Sequence, residues 1–245
     1  MDFIDAPSPN FEPRKGPPDM IVLHYTGMQT GEAALARLRD LEAKVSSHYL
    51  VEEDGRVFRL VPEERRAWHA GVSFWKGETD VNGRSVGIEI VNPGHEFGYR
   101  PFPEAQIAAV IALVADVRAR WTVEDDRIVG HSDVAPERKD DPGELFPWKR
   151  LAEAGHGLWA EPGAAPGDPL AEGAEGAGVF ALQAGLTRLG YDCAPSGVFD
   201  AHTTAVVRAF QRHWRPALFD GVADGETRAR LIAILRAAAA TGGGA

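Results

Sequence analysis

One segment limits the architecture before any other: AEPGAAPGDPLAEGAEGAG, residues 160–178. Alanine, glycine, proline and acidic residues, with no aromatic and a single large aliphatic side chain, cannot build a core, and the segment reads as a flexible linker. It divides the 245 residues into a larger unit at 1–159 and a smaller one at 179–240, which ends in the tail AAAATGGGA. A chain of this length is comfortable as two domains.

The larger unit alternates strand and helix patterns. MIVLHYT (20–26) and RSVGIEIVN (84–92) are short apolar runs that predict buried strands. TGEAALARLRDLEA (30–43) reads as a helix. Asp54-Gly55 separates two alternating runs and predicts a hairpin. Ile107, Val110, Ile111, Val114 and Val117 recur at helical spacing after Pro103, a proline suited to a first turn. The fold class predicted is α/β, a mixed central β-sheet flanked by helices, with a small three-helix C-terminal domain.

Charge and cysteine usage remove several functions. A formal net charge of −10 argues against nucleic acid and against an anionic membrane surface, both of which call for clustered Lys and Arg. Cys193 is the one cysteine, so no intrachain disulfide forms, and it reads as a structural thiol. No apolar run is long enough for membrane insertion. MDFIDAPSPNFEPRKGPPD lacks the parts of a secretory signal, so with Met1 as the native start the expected location is the cytoplasm; a trimmed start leaves the periplasm open.

The chemistry concentrates in two histidines and one loop. His24 (IVLHYT) and His131 (IVGHSD) close predicted strands, and side chains at the carboxyl ends of such strands face the crevice where ligands bind. GHSDVAPERKDDPG (130–143) then supplies Asp133, Asp140 and Asp141 in a loop stiffened by prolines. Two imidazoles, one carboxylate and an open fourth position make a catalytic metal site. On chemistry alone all three aspartates compete for the carboxylate role. Glu89, between Ile88 and Ile90, is costly to bury without a use or a partner, though a half-exposed strand would present it to water without cost.

IVLHYT, SHYLVEEDGRVFRLV, RAWHAG, NGRSVGIEIVN and GHSDVAPERKDDPGELFPW occur in that order. Together, over roughly residues 17–160, they resemble the zinc-dependent N-acetylmuramoyl-L-alanine amidases, whose fold is shared with animal peptidoglycan-recognition proteins. The resemblance implies Zn2+ held by His24, His131 and Asp141, with Glu89 as the base acting on water and Lys139 as the cation beside the developing oxyanion. It implies Arg138 as a partner for a substrate carboxylate, His69 as a cleft-wall residue that touches substrate, and His48 as a structural neighbour. Some relatives carry a tyrosine where this chain has Ser47, which places more weight on Glu89. His95, His156, His202 and His213 read as surface or packing residues. The implied reaction is hydrolysis of the amide between the muramic (or anhydro-muramic) lactyl group and L-alanine of peptidoglycan fragments, with no obligate protein partner. The competing expectation is a non-catalytic recognition protein, from which the complete residue set argues away. A stem-peptide zinc peptidase would need an H-E-x-x-H signature, which is absent.

The smaller unit resembles the three-helix peptidoglycan-binding module of cell-wall hydrolases through Leu182-Gln183, Leu189-Gly190-Tyr191, Phe199-Asp200, Phe210-Gln211 and Asp220-Gly221. Asp200 and Asp224 stand three residues before Thr203 and Thr227, as helix-capping residues do, and Leu182, Leu186, Leu189, Val206 and Phe210 are expected core. Murein binding is what the resemblance implies. With a flexible linker between, the two units are expected to act independently, so that deleting 160–245 leaves action on a small soluble muropeptide nearly intact.

Overall fold

The strand and helix patterns are realised in the computed structural model, which describes residues 1–164 and 167–241. Strands β1 (Ile4–Asp5), β2 (Phe11–Pro13) and β3 (Met20–Tyr25) lead to helix α1 (Gly31–Arg39), and β4 (Tyr49–Val51), β5 (Val57–Arg59) and β6 (Arg65–Ala67) follow. Then come α2 (Val81–Arg84), β7 (Ser85–Ile90), α3 (Gly94–Phe97), α4 (Glu104–Arg120), β8 (Ile128–Gly130), α5 (His131–Val134) and α6 (Trp148–Glu153). Six strands form one mixed sheet in the order β1-β5-β4-β7-β3-β8, with β3 parallel to both β7 and β8. The hairpin at Asp54-Gly55 joins antiparallel β4 and β5. Pro103 caps α4 from just outside the helix rather than opening its first turn.

Alternation along the strands assigns the faces. Ile21 and Leu23 of β3, with Val86, Ile88 and Ile90 of β7, pack on Ile107, Val110, Leu113, Val114 and Val117 of α4. The opposite face carries Met20, Val22 and His24. Its β4 side lies under α1, whose Ala34 and Leu38 meet Leu50 and Leu60. Its β3–β8 side lies under the C-terminal helices.

Those helices are α7 (Ala177–Leu189), α8 (Ala201–Trp214) and α9 (Gly225–Thr241). The expected caps are present: Asp200 Oδ1 accepts from the Thr203 amide at 2.7 Å and Asp224 Oδ1 from the Thr227 amide at 2.9 Å. Two buried glutamines expose an internal repeat. Gln183 donates to Val198 O and Thr203 Oγ1 and accepts from Gly197 N; Gln211 does the same with Val222 O, Thr227 Oγ1 and Gly221 N.

The two units on either side of 160–178 pack against each other. Met20, Val22, Trp75, Val129 and Val134 of the sheet unit share one hydrophobic cluster with Val179, Tyr191, Phe210 and Trp214 of the helices. Trp214 Nε1 donates to Leu158 O at 3.0 Å, and the Lys76 amide donates to Gly190 O at 2.8 Å. Within 160–178, Leu170 pairs with Ala223 and Glu175 with Val198 as antiparallel bridges, while residues 165–166 lie outside the described ones. Small side chains that cannot build a core let the backbone lie close against one. Among the described residues no helix is long and apolar enough to cross a membrane.

Candidate metal centre and cleft

Parallel neighbours β3 and β8 end side by side, so His24 at the end of β3 and His131 just past β8 face each other with their Nδ1 atoms 2.9 Å apart. The loop after α5 returns over the strand end and places Asp141 Oδ2 3.0 Å from each Nδ1. The Ser132 amide closes this loop by donating to Asp141 O at 2.8 Å. Gly130 permits the return, because a Cβ there would sit 2.7 Å from Pro142 Cδ. All three side chains are buried.

Of the three competing aspartates, only Asp141 converges on the imidazoles. Asp140 turns outward to Arg212, 2.6 Å away. Asp133 is buried, and its oxygens accept from Gly130 N at 2.8 Å, Tyr191 Oη at 2.5 Å and His213 Nδ1 at 2.7 Å. Burial works to raise the Asp141 carboxyl, but His131 and His24 outweigh it and hold it well below the usual carboxylate range. Burial, with His131 opposite, lowers His24 to about 4.

The surroundings fix which nitrogen of each ring is bare. His131 Nε2 lies 3.0 Å from the Ala70 carbonyl, which only accepts, so Nε2 carries the proton and Nδ1 presents its lone pair. For His24 the same result comes through a relay. The Ser85 hydroxyl donates to Val81 O at 2.6 Å, which leaves its oxygen to accept from His69 Nε2 at 3.3 Å. His69 Nδ1 then accepts from His24 Nε2 at 3.0 Å. Three electron-pair donors about 3 Å apart, with no proton assigned between the two nitrogens, repel unless a cation sits at their focus. Two nitrogens and one oxygen at this spacing suit a metal ion with bonds of about 2.0–2.2 Å. The residues fit such an ion.

Glu89 is the direct partner of His24 in the β3–β7 register and so shares its face. Its Oε2 is buried without a hydrogen-bond partner among the described residues. Burial first, then the Asp141 carboxylate, push its pKa well above the ordinary value, with Lys139 opposing. Lys139 and Arg138 line the same cleft of about 390 Å³, which Arg37 and Leu38 of α1 also line. Arg138 is partly committed: Nε donates to Val72 O at 3.0 Å and Nη2 to Ala70 O at 2.6 Å. His69 lines the cleft with both ring nitrogens engaged, as above. It crosses β7 at Gly87, where a Cβ would come within 2.5 Å of the ring. His48 and Ser47 bond Gly87's backbone and stand outside the cleft.

Sequence reasoning gave no part in the site to Ser85, to Tyr191, which it read only as a motif residue of the C-terminal module, or to Arg212. A glycine inside the apolar strand at position 87 was the available sign that a ring crosses there. Nothing local marks the other two.

The N-acetylmuramoyl-L-alanine amidase family model matches residues 14–144, and a peptidoglycan-binding-domain model matches 175–231. N-acetylmuramoyl-L-alanine amidase AmiD of Escherichia coli K12 is 40% identical over 236 residues, 88% of this chain and 82% of the relative. The solved complex of E. coli AmiD with anhydro-N-acetylmuramic acid-L-Ala-D-γ-Glu-L-Lys superposes with a TM-score of 0.77 at 37% identity, covering 92% of each chain. AmpDh3 of Pseudomonas aeruginosa, solved with an anhydromuramic pentapeptide, gives 0.75 at 32% identity over 89% of this chain and 91% of its own. With its paired strand-end histidines, its returning aspartate and this likeness over nearly the whole length, the chain belongs to the N-acetylmuramoyl-L-alanine amidase family of hydrolases.

Proposed function

We propose that the protein is a zinc amidase that cleaves the bond between the lactyl group of muramic or anhydro-muramic acid and L-alanine in peptidoglycan fragments, in cell-wall recycling. The observation that carries this reading is the convergence of His24, His131 and Asp141 beneath an open cleft that also holds Glu89 and Lys139. His24 and His131 offer Nδ1, and Asp141 offers Oδ2. A zinc ion at this set supplies Lewis-acid polarisation of the scissile carbonyl and a nucleophilic water at neutral pH.

The chain's own side chains do the rest. Glu89, in register with His24 and with Oε2 free of a hydrogen-bond partner among the described residues, takes the proton of the attacking water on Oε2 and passes it to the departing L-alanine amine. Lys139 sets a fixed positive charge beside the carbonyl oxygen as negative charge develops there. Arg138 keeps Nη1 for a stem-peptide carboxylate while its other nitrogens hold the cleft wall. His69 contributes ring surface to the wall. The muropeptides in the AmiD and AmpDh3 complexes support a substrate of this class.

Mass spectrometry of products from an anhydro-muropeptide, with and without chelator, tests the reading. Free anhydro-N-acetylmuramic acid plus a peptide beginning at L-alanine is expected, lost with chelator and restored by zinc. Cleavage elsewhere in the stem peptide, or cleavage indifferent to metal, overturns it.

A further inference from the structure

We propose that the C-terminal helices position the metal-binding loop, with Tyr191 and His213 holding Asp133 and Arg212 holding Asp140, so that His131 and Asp141 meet His24. The inference rests on the reading of these three as metal ligands.

Asp133 is 1% exposed, and two of its three hydrogen-bond partners come from the helical unit. A buried carboxylate stripped of its donors is strongly unfavourable, so in this chain the α5 turn depends on helices many residues away in sequence. The third partner, the Gly130 amide, directly precedes His131, and Ser132 N is bonded to Asp141 O. A shift of Asp133 therefore moves both ends of the loop.

The donors are themselves tightly packed. The His213 ring stacks between Trp148 and Trp214, each with centroids 3.6 Å away. Tyr191 is 0% exposed and packs edge-on against Trp75 at 5.0 Å. Arg212, on the same helix as His213, reaches Asp140 beside the ligand Asp141 and the cation Lys139. His202 adds a contact to Glu137 at 3.0 Å on the loop's outer side. Among the described residues, none of the helical unit lines the cleft. Their action on the reaction passes through the loop.

The test uses the full-length chain. Tyr191→Phe removes one hydroxyl from Asp133, and Arg212→Ala removes the cation from Asp140, with Arg212→Lys as the conservative partner. For each, the dissociation constant of Zn2+ is measured by chelator competition, the Co2+ form is examined by visible absorption, and kcat and KM are measured on a small soluble muropeptide. The expected results for Tyr191→Phe are metal affinity weakened about 10–100-fold, an altered cobalt band and a lower kcat with KM within about twofold. Arg212→Ala shows a smaller shift that Arg212→Lys recovers. Unchanged metal affinity, cobalt spectrum and kcat in both variants, with only a lowered unfolding midpoint, would overturn the proposal and leave the helices as a stabilising cover. His24→Ala is the reference: retention of metal by that variant removes the ligand reading and this proposal with it.

Discussion

The two imidazoles of the proposed metal centre are supported in different ways. His24 stands on a central strand between two parallel neighbours, and its support (Glu89 in register, His69 across Gly87, Ser85 at the foot of β7) comes from the sheet and the segment beside it. His131 stands one residue past an edge strand of three residues and depends on the Ala70 carbonyl and on a loop pinned from the C-terminal helices. The sheet half is preorganised by strand pairing and needs little help. The loop half borrows rigidity from another region of the chain. On the proposed reading, one fold keeps a fixed ligand on its sheet and places two others, with Lys139, on a segment that contacts distant residues.

Perturbing each half separately breaks or sharpens this contrast. The largest effect is expected from His24→Ala: bound zinc falls to background by elemental analysis, and turnover with it. Next is Glu89→Gln, where metal content stays and kcat falls by about 10²–10⁴-fold; a variant with normal hydrolysis removes Glu89 from the chemistry. Ser85→Ala breaks the relay on the sheet side and should weaken metal affinity about 10–100-fold. Because Ser85 and Tyr191 share no hydrogen-bond partner, the double variant with Tyr191→Phe should show additive losses in log Kd. Strong non-additivity would mean that the two halves are one network.

The smallest effect concerns Cys193, buried in the helical unit within the shared core. Burial pushes its thiol up to about 11, so alkylation at pH 8 should be slow. Under rising denaturant, labelling should begin together with loss of the sheet's circular-dichroism signal, not before it. Early labelling would show that the helices undock first. The native fold binds the thiol proton more tightly than the unfolded chain does. This contribution is therefore complete below pH 9 and declines as pH rises from 9 toward 11, measurable as a falling unfolding midpoint.

Much of the molecule was legible in the residues. Apolar runs located β3 and β7, the Asp54-Gly55 pair located the hairpin, and helical spacing located α4, because each signal depends on neighbours within a few positions. The histidines at strand ends and the crowded 130–143 loop marked the site for the same reason. Three aspartates in that loop stayed equivalent on composition, since their choice depends on where each carboxylate points.

By itself, then, the sequence determined β3, β7, the β4–β5 hairpin, α1 and α4, the helix caps at Asp200 and Asp224, and the kind of chemistry that two histidines and a carboxylate can perform. Tertiary structure showed Asp141 facing the imidazoles, as the family resemblance implied, and decided that Asp140 and Asp133 face the helices and that an apparent linker leads into a shared core. It also set the proton positions on His24 and His131 through Ser85, His69 and Ala70. The physical reason is range: propensity and periodicity act over one or two turns of chain, whereas a carboxylate's partners and a ring's tautomer are set by groups that only folding brings together.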